Sequence, residues 1–591
     1  MSLSKSLSFV RAEYGSPIPD EQCRVCVCLL TCSRNTESAM LTALVSWVIR
    51  PMLRTVRRAW DLWVSFVFFV WMGWRRKSSL PPVFNPILLL SATELAQSIR
   101  ERKMSSVEVV KAYVTRVSDV NPLLNAVAQE NFQSALLEAK RVDERLSQGF
   151  KDGSLTKEYL KKNQPFLGVP FTVKETVAAA GLPNSGGLVV RNKIRAATDA
   201  EIVRKMKRAG AILVGNTNVS ELGMWWESDN RVYGRTNNPY DTRRTPGGSS
   251  GGEAALMCAC GTPISLGTDT GGSIRMPAYF CGLFGHKPSS GVISLKGCNI
   301  HLDVEWSEMQ SAGPITRHAK DLAPILAVLV GDKADKLSLD KRVDPGTLQI
   351  FTMENDCDGI LTSSISSTLV SAQRAVAHHF RHTYDVTVRK VIIPGMKKSY
   401  QIFQEKLREE YAEGTPIFQQ MADNKGEINV WTEITRLILG RAHHTIPLLA
   451  QAAMEKFAGE VKFLKDQKKV LQGKEDTQRV PALLQGETMW KRLQMRVQRL
   501  LGDNGVLLYP SHPTLAPYHN EPLFRPLNFT YTAIFNALGF PVTQVPLGLA
   551  PNGLPLGIQV VGGLYQDHVT IAVAADLEKA FGGWICPSKI L

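Results

Sequence analysis

The sequence predicts an α/β fold, a sheet with both faces covered by helices. Three observations carry that expectation. Short apolar runs rich in β-branched residues, such as Phe166–Val173 and Ala211–Gly215, read as buried strands. They alternate with helical patterns that open on capping signals. Hydrophobic residues make up 44% and charged residues 21% of the 591, the balance of a globular chain with a large core.

Residues 1–39 read as an extension, either disordered or lying ahead of an alternative start at Met40. They carry Cys23, Cys26, Cys28 and Cys32, which suggest a zinc site or a palmitoylation patch, but no matched second ligand pair follows. Ten cysteines in so long a chain do not make a disulfide framework. Residues 40–77 read as a membrane anchor. Two apolar runs, Leu41–Leu53 and Leu62–Trp74, are bracketed by Arg54, Arg57, Arg58 and by Arg75-Arg76-Lys77, with Trp60, Trp63, Trp71 and Trp74 among them. Neither run reaches the roughly 20 residues of a bilayer span. A short or tilted span, a monotopic hairpin and an interfacial helix all stay open, and a buried core helix suits the Trp–Arg pattern less well.

The net charge is +15. Over residues 1–90, 11 Lys/Arg stand against 5 Asp/Glu, and the excess falls within 41–77. Elsewhere the positive charge is dilute, so a nucleic-acid partner is not predicted and a membrane surface is. Residues 78–90, with Pro81, Pro82 and Pro86, read as a linker to a catalytic domain over 91–591.

Within that domain Ser91–Glu94 and Ser105–Glu108 have capping-box form, so each opens a helix. A charged helical stretch covers Asn131–Gln148, and Thr198–Glu201 is expected to cap another helix. The Phe166–Val173 strand delivers Lys174 at its end. Further apolar segments are Ile325–Val330, Leu348–Met353 and Val386–Ile393. Residues 400–500 are mostly helical in pattern. Val506–Tyr509, Phe540–Val545 and Leu554–Val561 read as strands, with a last helix from about Asp567. Glycosylation sequons at Asn218 and Asn528 fall in segments expected to be packed.

The chemistry gathers at three places. Lys174 follows Phe171 and Val173; burial lowers a lysine's pKa, and a neutral lysine can accept a proton near pH 7. Ser249 and Ser273 are glycine-flanked serines 24 residues apart. Ser249, in Gly247-Gly-Ser-Ser-Gly251, matches the nucleophile-elbow pattern, with His512 as the least unsuitable base. The polar, proline-containing residues 237–246 before it lack the strand an elbow needs. Ser273 follows Thr270-Gly-Gly, which lets several N–H groups point at one spot, as an oxyanion hole requires. Asp269 and Arg275 bracket that loop and are expected to hold its shape. Met224-Trp225-Trp226 can either line an acyl pocket or pack in the core.

Together these residues resemble the amidase signature family. The resemblance rests on Val173-Lys174-Glu175, Asn238–Asp241, Gly247–Gly252, Gly267–Arg275, Gly285–Pro288 and Leu554–Gln559, and covers about residues 88–587. It implies one large mixed central β-sheet. It implies a Ser–Ser–Lys triad: Ser273 as nucleophile, Ser249 (held by a cis peptide) as proton relay, and Lys174 as base. Backbone N–H groups of Thr270, Gly271, Gly272 and Ser273 would form the oxyanion hole, with Ser250, Asp269 and Arg275 supporting it. Thr270 stands where the family often has an apolar residue, a change the backbone donor tolerates. No metal or organic cofactor is implied. The resemblance is strongest to the membrane-bound branch acting on primary fatty amides and N-acylethanolamines, which implies a lipid amide substrate, membrane attachment through residues 40–77 and a membrane such as the endoplasmic reticulum or lipid droplet. A homo-oligomer is compatible with it. Competing readings are an amidase for another amide, an aminoacyl-tRNA amidotransferase subunit, a lipase using Ser249, and a catalytically silent membrane scaffold.

Overall fold

The computed structural model describes residues 48–300, 304–357, 359–411, 414–457 and 488–591. The cysteines at 23–32 and residues 458–487 of the stretch expected to be helical lie outside them. The chain divides into Met1–Trp63 and Val64–Leu591.

Helix α1 spans Arg50–Gly73. In the first unit, Arg57 pairs with Asp61 at 3.2 Å one turn on, and Trp60 stacks on Trp63. The division falls inside α1. From Val64 onward Val64, Phe68 and Met72, spaced four apart, bury against Tyr518. That 3.6-residue stripe makes this half of α1 amphipathic. The expected linker at 78–90 is likewise packed: Val83 and Leu88 are buried, and Val83 exchanges backbone hydrogen bonds with Lys589 and Leu591.

Both capping boxes form. In α2 (Ala92–Arg100) Glu94 N–H donates to Ser91 Oγ at 3.2 Å while Ser91 N–H donates to Glu94 Oε2 at 3.0 Å. Ser105 and Glu108 do the same for α3 (Ser106–Leu124). Strand β1 (Val127–Glu130) and helix α4 (Phe132–Lys151) follow, then α5 (Lys157–Asn163). Next come β2 (Pro170–Lys174), α6 (Glu201–Arg208) and β3 (Ile212–Thr217). The cap expected at Thr198 is not made, because α6 starts after Ala200. Asp199 instead accepts from Ala180 N–H and pairs with Lys207.

A small ribbon joins β4 (Asp229–Asn230) and β5 (Gly234–Arg235). It leads to α7 (Gly251–Cys258), β6 (Ser265–Asp269), α8 (Arg275–Phe280), β7 (Phe284–Lys287) and β8 (Ser311–Thr316). The Ile325–Val330 run is helical, in α9 (Leu322–Val330), and β9 (Gln349–Thr352), α10 (Ser367–Tyr384) and β10 (Val388–Lys390) follow. Helices α11 (Ser399–Glu410), α12 (Ile417–Gln420), α13 (Val430–Ile438) and α14 (Met489–Leu501) precede β11 (Gly505–Tyr509), α15 (Thr530–Ala537), β12 (Val542–Leu549), β13 (Pro555–Gly562) and α16 (Asp567–Phe581).

Among the described residues eleven strands form one sheet, ordered β1-β3-β2-β6-β8-β7-β12-β13-β11-β9-β10. It is mixed: β2 pairs parallel with β3 and β6, whereas β12, β13 and β11 pair antiparallel. Its two faces carry separate cores. Val506, Leu508, Ile558 and Val560 enter one cluster, and Leu507, Tyr509 and Val561 enter the other. Helices cover both, so alternate residues of one strand are all buried.

Candidate active site

Strand β2 lies between two parallel neighbours and is buried along its length, so its last residue emerges in the sheet interior. That residue is Lys174, 2% exposed. Its Nζ donates to Ser249 Oγ at 2.6 Å and to Thr268 Oγ1 at 2.9 Å. Loss of hydration lowers its pKa to about 7, against the opposing fields of Asp269, Cys298 and Glu253. Glu253, on α7, accepts from Thr172 and Thr217, and burial raises its carboxyl to about 7. A lysine with no tight ion pair therefore sits within hydrogen-bond reach of a serine, in water-poor surroundings.

Ser249 is reached through a loop, with no strand before it, and its preceding peptide bond, Gly248–Ser249, is cis. Ser228 holds this loop, donating to Gly247 O at 3.0 Å and accepting from Gly251 N–H at 2.9 Å. A Cβ at Gly248 would stand 2.7 Å from Trp225 O, so the close approach requires glycine. The elbow geometry is absent. His512 is also no base for Ser249. It is buried against Phe280 and Trp226, burial lowers its pKa to about 3, and Nδ1 is engaged with Thr514.

Ser273 sits in the turn before α8 and is half-buried. Ser250 N–H donates to Ser273 O at 3.2 Å, tying the two serine loops together. Among the described residues the Ser273 side chain makes no hydrogen bond. Asp269 and Arg275 bracket this loop and bond to it and to each other. The carboxylate receives Gly272 N–H at 2.7 Å, Ile274 N–H at 3.0 Å and the guanidinium through two bonds. Burial opposes ionisation, but Arg275 holds the carboxyl far below the ordinary range. One expectation is corrected: Gly272 N–H is directed to Asp269, not toward the space beside Ser273. The N–H groups of Thr270, Gly271 and Ser273 make no hydrogen bond among the described residues and stay available as donors.

The partners of this loop come from far along the chain. Arg275 Nη1 donates to Thr532 O and Gln559 Oε1, both at 2.9 Å; Asn536 Nδ2 donates to Asp269 Oδ1 at 2.9 Å; and Thr532 Oγ1 donates to Gly271 O at 2.7 Å. Sequence reasoning missed these, and also Thr268, Glu253 and Ser228. Only Thr268, inside the Gly267–Arg275 motif, carried a local signal. Ser250 is buried and faces Thr268 O at 3.5 Å.

The Met224–Trp226 stretch separates. Trp226 is buried with Met276, Tyr279 and Phe280, and its Nε1 donates to Pro526 O. Met224 packs with Leu188, Met421, Leu448 and Leu449. The adjoining Gly223 lies nearest the chemistry: a Cβ there would stand 3.6 Å from Ser249 Oγ and 3.8 Å from Lys174 Nζ. Both sequon asparagines, Asn218 and Asn528, are fully buried.

A family model described as Amidase matches residues 108–571. The chain belongs to the amidase signature family. The amidase is 46% identical to fatty-acid amide hydrolase 2-B of Danio rerio over 88% of this chain and 94% of that protein. It is 43% identical to fatty-acid amide hydrolase 2 of Homo sapiens over 86% of this chain and 92% of the relative. Among solved structures, a crystal structure of an amidase matches with a TM-score of 0.63 and 24% identity, over 83% of this chain and all of that one, a likeness of fold. The amidase is thus a hydrolase acting on amide carbon–nitrogen bonds.

Proposed function

We propose that this amidase hydrolyses fatty-acid amides at a membrane, through an acyl-enzyme on Ser273. Ser273 Oγ attacks the amide carbonyl. Its proton passes to Ser249 and on to neutral Lys174, then returns through Ser249 to the leaving amine. Thr270, Gly271 and Ser273 N–H groups stabilise the oxyanion. Water then releases the fatty acid by the reverse relay. The relay requires a hydrogen bond between the two serine hydroxyls that forms when substrate enters, since catalytic hydrogen bonds commonly close only in the substrate complex. The observation that carries this reading is the 2.6 Å Lys174–Ser249 contact around a lysine held near pKa 7.

The lipid part rests on two supports. The relatives at 43–46% identity are named fatty-acid amide hydrolases. The outer side of α1 also presents Phe66, Phe69, Val70 and Trp71 to solvent. No described helix is long and apolar enough to cross a bilayer. The reading proposed for α1 is that of an interfacial helix, supported by those outward rings. Membrane attachment would let an acyl chain enter from the lipid phase.

The test pairs fluorophosphonate labelling, located by mass spectrometry, with oleamide turnover. Labelling at Ser273 and turnover lost in Ser273→Ala and Lys174→Ala are expected. Labelling at Ser249 overturns the assignment of roles. Turnover of short amides but not of oleamide overturns the lipid assignment alone.

A further inference from the structure

The chain covers the Lys174–Ser249 pair with a tight turn, Glu221–Gly223, a few residues past the end of β3. Gly223 is the covering residue, within 4 Å of both Ser249 Oγ and Lys174 Nζ at its Cβ position. The turn is strained. Leu222 has a φ of +54° and Gly223 of +68°, and leucine resists that left-handed region. Such a turn keeps its shape only where its surroundings fix it.

Part of the fixing is local: Leu222 N–H donates to Gly186 O at 2.7 Å and Gly223 N–H to Ser220 O at 2.8 Å. The rest comes from more than two hundred positions on. The Glu221 carboxylate, 2% exposed, receives His444 Nδ1–H and Thr445 N–H, each at 2.7 Å. Residues 446–457 then run as a helix. From it Gln451 Nε2 donates to Met224 O at 3.0 Å, while Leu448 and Leu449 pack against Met224. His444 is itself buried and anchored: Arg231 Nε reaches its carbonyl at 3.4 Å, and Glu433 receives the neighbouring His443 N–H at 3.2 Å. A buried carboxylate is costly to leave without its donors, so Glu221 joins the two segments firmly.

We propose that Glu221 and His444 are positioning residues: their bond seats the Glu221–Gly223 turn over the Lys174 amine and the Ser249 hydroxyl and keeps water from both. The inference rests on the Ser–Ser–Lys relay proposed above. Lys174 owes its neutral form to lost hydration alone, since the groups that face it, Asp269 on β6, Glu253 on α7 and Cys298, all favour the charged amine. A turn released from His444 lets water reach the amine, and the lysine then holds its proton to higher pH.

The full chain is assayed on a short, soluble amide, with kcat/KM followed from acid to alkaline pH. In His444→Ala and Glu221→Ala the acid limb should move up by at least about one pH unit, so that activity below it falls about tenfold more than on the alkaline plateau. His444→Asn, whose side-chain N–H takes the place of Nδ1–H, should restore the wild-type limb. Hydrogen–deuterium exchange supplies a second readout that needs no variant: the Leu222 and Gly223 amides should be slow in the wild type. They should quicken in His444→Ala and slow again in His444→Asn. The proposal is overturned by a limb that stays in place in His444→Ala, by a loss of activity uniform across pH, or by wild-type amides at 222 and 223 that exchange like those of an open turn. Turnover that survives in Lys174→Ala overturns the relay, and this inference with it.

Discussion

Asp269 and Arg275 face each other beneath the Ser273 loop, Nε to Oδ2 and Nη2 to Oδ1 each at 3.0 Å, and neither side chain reaches solvent. The same carboxylate holds Gly272 and Ile274 N–H, so a buried charge pair sets the course of the backbone that carries the nucleophile. Asp269→Asn leaves the guanidinium without its counter-ion. The expected loss of stability is about 3–5 kcal/mol, the range for breaking a buried pair from one side. Urea denaturation measures it; a loss under about 1 kcal/mol would count against this account.

Lys174 gives the pH profile its sign. The base form is the neutral amine, and the folded pKa is about 7. Below that value kcat/KM should fall about tenfold per pH unit, and above it level off. Lys174→Arg, charged at every accessible pH, should stay inactive throughout. A wild-type profile still climbing steeply above pH 9 would mean that the lysine is not desolvated in solution.

Gly272 has a φ of +118°, and a Cβ there would lie 2.0 Å from Thr532 Oγ1. Gly181, at φ +81°, has nothing within 4 Å of the same position. Both Gly→Ala changes should destabilise by about 1–2 kcal/mol through backbone strain. Only Gly272→Ala should also lower kcat, on the order of a hundredfold, because the oxyanion donors must move. Steady-state kinetics beside thermal unfolding separates the two effects.

The exposed side of α1 should govern lipid binding. Phe66→Ser with Phe69→Ser removes two outward rings and leaves the buried Val64, Phe68 and Met72 in place. Co-sedimentation with phosphatidylcholine vesicles should weaken by at least about tenfold, on the order of 1.4 kcal/mol. Turnover of a short, soluble amide should persist, and undiminished vesicle binding would move the membrane contact elsewhere.

What the sequence showed follows the range of the interactions involved. The Ser91–Glu94 and Ser105–Glu108 boxes close within four residues, and both form as read. Lys174 was legible because its burial follows from the apolar strand behind it. Thr198 failed as a cap because Asp199 is drawn away by Ala180 and Lys207. The burial of Val64, Phe68 and Met72 depends on Tyr518, more than four hundred positions on, which no local pattern reports. Likewise Thr532, Asn536 and Gln559 meet Asp269 and Arg275 only once the sheet has assembled. The use of Gly272 N–H by Asp269 was also hidden, since glycine spacing shows that amides can converge without showing on what.

The strand β11 divides two cores with successive residues: Val506 and Leu508 on one side, Leu507 and Tyr509 on the other. Neither core can loosen while this wall stands, and the wall cannot part without opening both. Backbone amides of Val506–Leu508 and of Val560–Gly562 opposite them should therefore trade hydrogen for deuterium only through unfolding of the whole body, and should be among the last to do so.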